Sequence, residues 1–202
     1  YAFLAQGLLD LFEASGEPEW LEWSIELCEA LLKRFAAPEG GFYMTAEGHD
    51  ARLLARVLED SDNVEPSASS VAALTLQRLY LITGREEFRA AAQKTLEAFA
   101  GNMKERSLAL PQMLIALGFA LGHPKKVVVA GAQVNPLLEV LRSHFQAERV
   151  FLRLTPKTKD ALIRLSPFLK SIDPAVSAVY LCEGNSCGLP ITDPKKLEAA
   201  LA

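Results

Sequence analysis

The chain has 202 residues and a formal net charge of -4. It is long enough for one large domain or a domain with a small appendage, and its scattered basic residues exclude a nucleic-acid footprint. Half of the residues are hydrophobic, but the longest apolar stretch, 108–121, contains Pro111, Gln112 and Gly118 and is too short to span a bilayer. Three cysteines are too few for a disulfide framework, so a reducing, cytoplasmic compartment is expected.

Taken in chain order, 1–15 reads as a helix that is apolar except for a thin stripe of Gln6, Asp10 and Glu13. A Ser15-Gly16 stop follows. The segment 20–35 is regularly amphipathic, with Glu22, Glu26, Glu29 and Lys33 on one face. After a long loop, 67–83 is again mostly apolar, and 86–99 returns to an amphipathic pattern marked by Arg89, Gln93 and Glu97. Leu8, Leu11, Phe12, Ser15, Gly16 and Trp20 are echoed by Leu76, Leu79, Tyr80, Thr83, Gly84 and Phe88, at a constant offset of 68 residues. A repeated helical hairpin must bury its face on the next unit. With 108–121 apolar nearly everywhere, the alternation predicts inner apolar helices backed by outer amphipathic ones, as in an α/α toroid. Five such helices are too few to close a ring of hairpins, and the chain opens inside a helix without a starting Met. A partial toroid is therefore expected, with exposed apolar edges and a tendency to self-associate.

The period changes after Gly122. Strands are expected at 126–130, 149–154 and 178–182, with a helix capped by Asn135, with Pro136 at its first position, running to about Gln146, and a last short helix from Asp193-Pro194. Strand, helix, strand predicts a small parallel or mixed sheet. The run Val127-Val128-Val129-Ala130-Gly131 lacks the glycine pattern of a dinucleotide site. The chain thus divides into helical hairpins over 1–122 and an α/β segment over 123–202.

Tyr1-Ala2-Phe3-Leu4, Gly7-Leu8-Leu9-Asp10-Leu11, Trp20-Leu21-Glu22, Gly40-Gly41-Phe42, Pro66-Ser67 and Cys182-x4-Cys187-x2-Pro190 occur here in that order. In this the chain resembles the C-terminal part of the YyaL/spermatogenesis-associated, thioredoxin-fold-containing family. The resemblance implies a six-hairpin glycosidase-like toroid, similar to N-acylglucosamine 2-epimerases. It also implies, as partners, an N-terminal thioredoxin-like domain and the remainder of the ring. Asp62, Pro66, Ser67 and Ser70 match the family's loop pattern, whereas Asn63, Val64, Ala68 and Ser69 replace Gly, Ala, Gly and Asn, and Leu58 stands where the family has a basic residue.

In such a toroid the loops line the mouth of a central cavity, and sugar hydrolysis needs two carboxyls held across a scissile bond. Asp62, Glu59 and Asp60 are therefore the catalytic candidates, accompanied on the loop by Asp50 and Glu65. Ser67, Ser70 and His49 are the ligand-binding candidates. The alternative for the acidic residues is a solvated loop, with Asp62 or Ser67 capping the next helix. Cys182 and Cys187 form a redox candidate, expected as thiols that pair conditionally, and Cys28 is expected in the core. Zinc would require further ligands that the spacing does not offer, so neither a metal nor a cofactor is expected. Three functions remain open: a carbohydrate-processing, epimerase- or glycosidase-like toroid with a sugar ligand, a redox-linked accessory domain, or a non-catalytic binding or packing module.

Overall fold

The computed structural model describes residues 1–49, 52–144, 147–184 and 186–201. Helices α1 (Ala2–Ser15) and α2 (Pro18–Phe35) form one hairpin, and α3 (Ala68–Thr83) and α4 (Glu86–Glu105) form the next. The repeat extends to individual hydrogen bonds. Gly16 and Gly84 close α1 and α3 in the left-handed conformation, at φ 76° and 73°, and donate to Phe12 O and Tyr80 O. Ser15 Oγ donates to Leu11 O and Thr83 Oγ1 to Leu79 O, both at 2.7 Å. The same hydroxyls accept from Glu17 N and Arg85 N, both at 3.2 Å. A side chain that turns back onto its own helix and then receives the next N–H fixes the direction in which the chain leaves. Equivalent residues therefore produce equivalent hairpins.

Helix α5 (Pro111–Leu121) follows a 3-10 turn at Ser107–Ala109. Helix α3 packs between α1 and α5, while α2 lies against α1 and α4 against α3. Gln77 Nε2 ties α3 to α5 by donating to Ala116 O at 2.9 Å, and Ser24 Oγ ties α2 to α1 by donating to Ala5 O at 2.8 Å. The polar stripe on α1 has a specific partner. Arg78 on α3 reaches Asp10 at 2.7 Å and Glu13 at 2.9 Å, and Asp10 and Arg78 occupy equivalent positions of the repeat. Burial pushes the Glu13 carboxyl above its ordinary range, against the pull of Arg78.

Strand β1 (Lys125–Ala130), helix α6 (Asn135–Ser143) and strand β2 (Arg149–Leu154) form a parallel β–α–β unit. Strand β3 (Ala178–Glu183) joins the other side of β1 antiparallel, followed by the short β4 (Ser186–Cys187), giving the mixed order β2-β1-β3-β4. Side chains alternate across the strands. Val128, Ala130, Val150, Leu152, Leu154 and Cys182 share a core with Leu9, Phe12 and Ile82 of the helices. Val127, Val129 and Val179 face the opposite way, against Leu137, Leu138 and Leu141 of α6 and Leu197 of the last helix (Pro194–Leu201). The largest core thus runs through residue 122 without a break.

The structure differs from the sequence reading in several places. Helix α4 continues to Glu105, six residues past the expected end at Phe99, because its amphipathic pattern is still served by Met103 in the core. Asn135 is the first residue of α6, not its cap, and contributes no side-chain capping bond. The expected end of that helix at Gln146 lies outside the described residues. Helix α7 (Lys159–Leu165) and the 3-10 turn Pro167–Ser171 have no counterpart in the sequence reading; each is too short to establish a period. They are anchored from a distance, by Ser166 Oγ donating to Ile82 O and by Arg164 pairing with Glu22. Cys182 and Cys187, expected as thiols that pair conditionally, are paired in this structure. They stand opposite each other in the β3–β4 ladder, with α-carbons 4.0 Å apart, although Asn185 of the intervening turn lies outside the described residues. Cys28 is buried as expected, and burial pushes its thiol up to about 12.

Among the described residues no helix is long and apolar enough to cross a membrane.

Candidate functional site

The acidic loop between α2 and α3 is held in place before it reaches the candidate residues. Gly41 N donates to Thr95 Oγ1 on α4 at 3.3 Å, and Phe42 N donates to Ser69 Oγ on α3 at 3.0 Å. Gly40 allows this close approach, since a β-carbon there would come within 2.4 Å of Lys94 O. Further along, the Arg56 guanidinium donates to Thr45 O and Arg34 O and stacks 4.1 Å from the Tyr43 ring centroid. Ser69, which stands where the family pattern has Asn, thus anchors the loop to α3 through its hydroxyl.

Asp62 sits where two helices begin. Its Oδ1 accepts from Ser67 N and its Oδ2 from Gln112 N, both at 2.8 Å, while its own N–H donates to Ala109 O at 2.7 Å. Both oxygens are thus engaged by backbone donors at the N-termini of α3 and α5, where negative charge is favoured. Ser67 is the N-cap of α3: its Oγ accepts from Ser70 N at 3.1 Å and donates to Ser70 Oγ at 2.9 Å, and both serines are buried. These hydrogen bonds match the capping alternative for Asp62 and Ser67.

The other candidates are more open. Asp60 is exposed and pairs with Arg106 at 2.8 Å. The hydrogen bond from Arg106, with a second from Ser61, holds its carboxyl below the ordinary range. Glu59 and Glu65 line a cavity of about 510 Å³ at the N-terminal end of α3, together with Phe3, Met44 and Val64. The sequence presents Glu65 only as one of the loop acids. Its place in one cavity with Phe3 depends on α1 lying beside α3, a contact with no local signal. His49 is exposed; its backbone N–H donates to Ala46 O, and no carboxylate among the described residues lies within ion-pair distance of its ring. Asp50 lies outside the described residues. The structure therefore brings Asp62, Ser67 and Ser70 together, puts Glu59 with Glu65, and leaves Asp60 on Arg106. Among the described residues no three His, Cys, Asp or Glu side chains are grouped to hold a metal ion.

Fold and loop together define a class: helical hairpins repeating every 68 residues, joined through a shared core to a small mixed sheet. No family model matches the chain. Relatives do. The chain is 36% identical over 208 residues to spermatogenesis-associated protein 20 of Mus musculus, a match that takes in the whole chain and 26% of that protein. It is 35% identical over 210 residues to the Homo sapiens protein of the same name, again the whole chain and 26% of the relative. An uncharacterized protein of Caenorhabditis elegans is 32% identical over 204 residues, 98% of the chain and 27% of that protein. The chain is thus homologous, from end to end, to about a quarter of the spermatogenesis-associated protein 20 relatives, and the family resemblance rests on the full alignment as well as on the motifs.

Proposed function

We propose that this chain is part of a carbohydrate-processing α/α ring, epimerase- or glycosidase-like, whose sugar-binding mouth is the cavity at the N-terminal end of α3. The observation that carries this reading is the composition of that cavity: two carboxylates, Glu59 and Glu65, beside the exposed ring of Phe3. Sugars present hydroxyls that donate to carboxylates and C–H faces that pack on aromatic rings; hydrolysis at a glycosidic centre uses paired carboxyls, and epimerisation uses a general base and acid, roles that carboxyls can fill. In this reading Glu59 and Glu65 do the acid–base work. Asp62 and Ser67 hold the loop, and Asp60 with Arg106 forms its outer edge.

A ring is supported by the apolar faces at the two ends of the helical row. Leu4 and Leu11 on α1 are exposed, as are Ile115 and Leu121 on α5. Gly7 and Gly118 lie on the same helices, and a β-carbon added to either would meet nothing within 4 Å. A helical glycine costs about 1 kcal/mol relative to Ala, a cost that close packing of a further helix would offset. The rest of the relatives' length is, in this reading, the source of those helices.

The test is an NMR titration of the full chain with glucose, mannose and their N-acetylated 2-amino forms. Shifts are expected at Glu59, Val64 and Glu65, and Glu65→Gln should weaken binding at least tenfold with thermal stability unchanged. Asp62→Asn should instead lower stability by about 1–2 kcal/mol, since an amide cannot accept from both backbone donors. No shift at millimolar sugar, or shifts confined to the sheet, would sink the proposal.

A further inference from the structure

Lys126 is a lysine in the wrong place for a surface residue. It lies on β1, only 3% exposed, on the sheet face that shares the helical core, and its ammonium sits 4.1 Å from the Phe168 ring centroid. Among the described residues no carboxylate is within ion-pair distance of it. The nearby Glu183 sits 3.9 Å from Lys125 instead, and alternation along β3 puts Glu183 on the face opposite Cys182. Burial lowers the Lys126 pKa. A cation–π contact offsets part of the desolvation cost, but a buried ammonium without a counter-ion is still an open electrostatic demand.

The ladder shows what can meet that demand. Lys126 pairs directly with Cys182 on β3, and Cys182 pairs directly with Cys187 on β4. The three residues form one row across three strands, and directly opposed side chains in antiparallel strands have β-carbons about 4.5–5.5 Å apart. Cys182 is fully buried, Cys187 is partly exposed, and the two are bonded. A cavity of about 400 Å³, lined by Thr83, Gly84, Pro167 and Phe168, opens onto Lys126 from the helical side.

We propose that Cys182 and Cys187 are a redox-active couple that exchanges with external dithiols, with Lys126 as the cation that receives the departing Cys182 sulfur as a thiolate. The accessible sulfur defines the direction of the reaction. A thiolate of the external dithiol attacks Cys187 Sγ, forming a mixed disulfide. The Cys182–Cys187 bond breaks, and its electron pair leaves on Cys182 Sγ, on the residue that stands opposite Lys126 in the ladder. The second thiol of the reductant then attacks the mixed disulfide, its own sulfur pair becomes a disulfide, and Cys187 is released as a thiol. Two electrons pass from the external dithiol to the protein, and the reverse sequence re-forms the Cys182–Cys187 bond while reducing an incoming disulfide to its dithiol.

Reduction creates, at Cys182, the counter-ion that Lys126 lacks. The reduced form gains relative to an uncharged setting, which makes the disulfide more oxidising. The bond closes a very short loop, so its direct contribution to stability through chain entropy is small.

The experiment equilibrates the full chain across a series of glutathione redox ratios and reads the disulfide fraction by differential alkylation and mass spectrometry. Wild type, Lys126→Met and Lys126→Arg are compared. Lys126→Met should shift the equilibrium toward the disulfide at least tenfold, about 30 mV for a two-electron couple, and Lys126→Arg should shift it far less. During reduction the glutathione adduct should map to Cys187 and not to Cys182. The same midpoint in all three proteins, an adduct on Cys182, or a disulfide that resists glutathione throughout would each overturn the proposal. If circular dichroism shows Lys126→Met to be unfolded, Lys126→Gln serves as the uncharged variant with the same expected shift, and the adduct position in wild type still decides. This inference is independent of the sugar-binding reading, and either can fail alone.

Discussion

In the helical hairpins the bonds that stop each helix join residues close in sequence, such as Ser15 with Leu11 and Thr83 with Leu79. In the sheet segment the decisive partners lie far apart, as with Lys126 and Cys182 or Ser166 and Ile82. The two regions nevertheless share one core, in which Leu152 and Leu154 of β2 pack with Phe12 and Leu9 of α1. The contrast separates how a region is specified from how it is stabilised. Local capping gives the hairpins their shape, but their stability depends on a sheet specified by distant contacts.

The largest expected effect tests that dependence. Leu152→Ala removes a fully buried side chain from the shared core and should destabilise the fold by about 2–5 kcal/mol. Helical circular dichroism and a fluorescent probe on the sheet should then melt together. Two separate transitions would break the comparison, since the regions would be independent. Next comes Arg78→Met, which leaves Glu13 half-enclosed without its cation. A loss of about 3 kcal/mol is expected, read by denaturant unfolding. Glu13→Gln in that background should recover part of it, and no recovery would mean that Arg78 acts through packing alone.

The smallest effect concerns Asp60, whose folded pKa is lowered by Arg106. A depressed carboxyl contributes stability above its unfolded pKa of about 4, and that contribution fades as pH falls through the lower folded value. Asp60→Asn should therefore reduce stability slightly at neutral pH and abolish the difference from wild type at strongly acidic pH. A difference that persists in acid would show that the side chain contributes something other than charge.

The same contrast explains how much of the fold is legible in the sequence. The hairpins, their Gly16 and Gly84 stops and the strands near 125–130, 149–154 and 178–183 follow from patterns a few residues long. The stripe of Asp10 and Glu13 is visible as a stripe, but its partner Arg78 is not, because nothing in a helix pattern states which helix lies beside it. Strand order and register are equally hidden. In the sequence Glu183 is therefore the charge next to Cys182, whereas the ladder puts Lys126 there. The acidic loop shows the same limit: the sequence counts its carboxylates, but only the fold distinguishes Asp62, bound by two backbone donors, from Glu65, which faces a cavity.

One bond of the Glu13 cluster has a consequence for the sheet. Besides holding Arg78, the Glu13 carboxyl, raised in pKa by burial, is drawn back down by the backbone N–H of Phe151, on the strand at one end of the sheet. An uncovered outer strand offers free N–H and C=O groups to any passing extended chain. Here α1 packs against that strand and brings the Glu13 carboxylate to it. At the other end, β4 is only two residues long and runs into Pro190, which has no N–H to donate. Both ends of the four-stranded sheet thus carry features that disfavour adding a further strand.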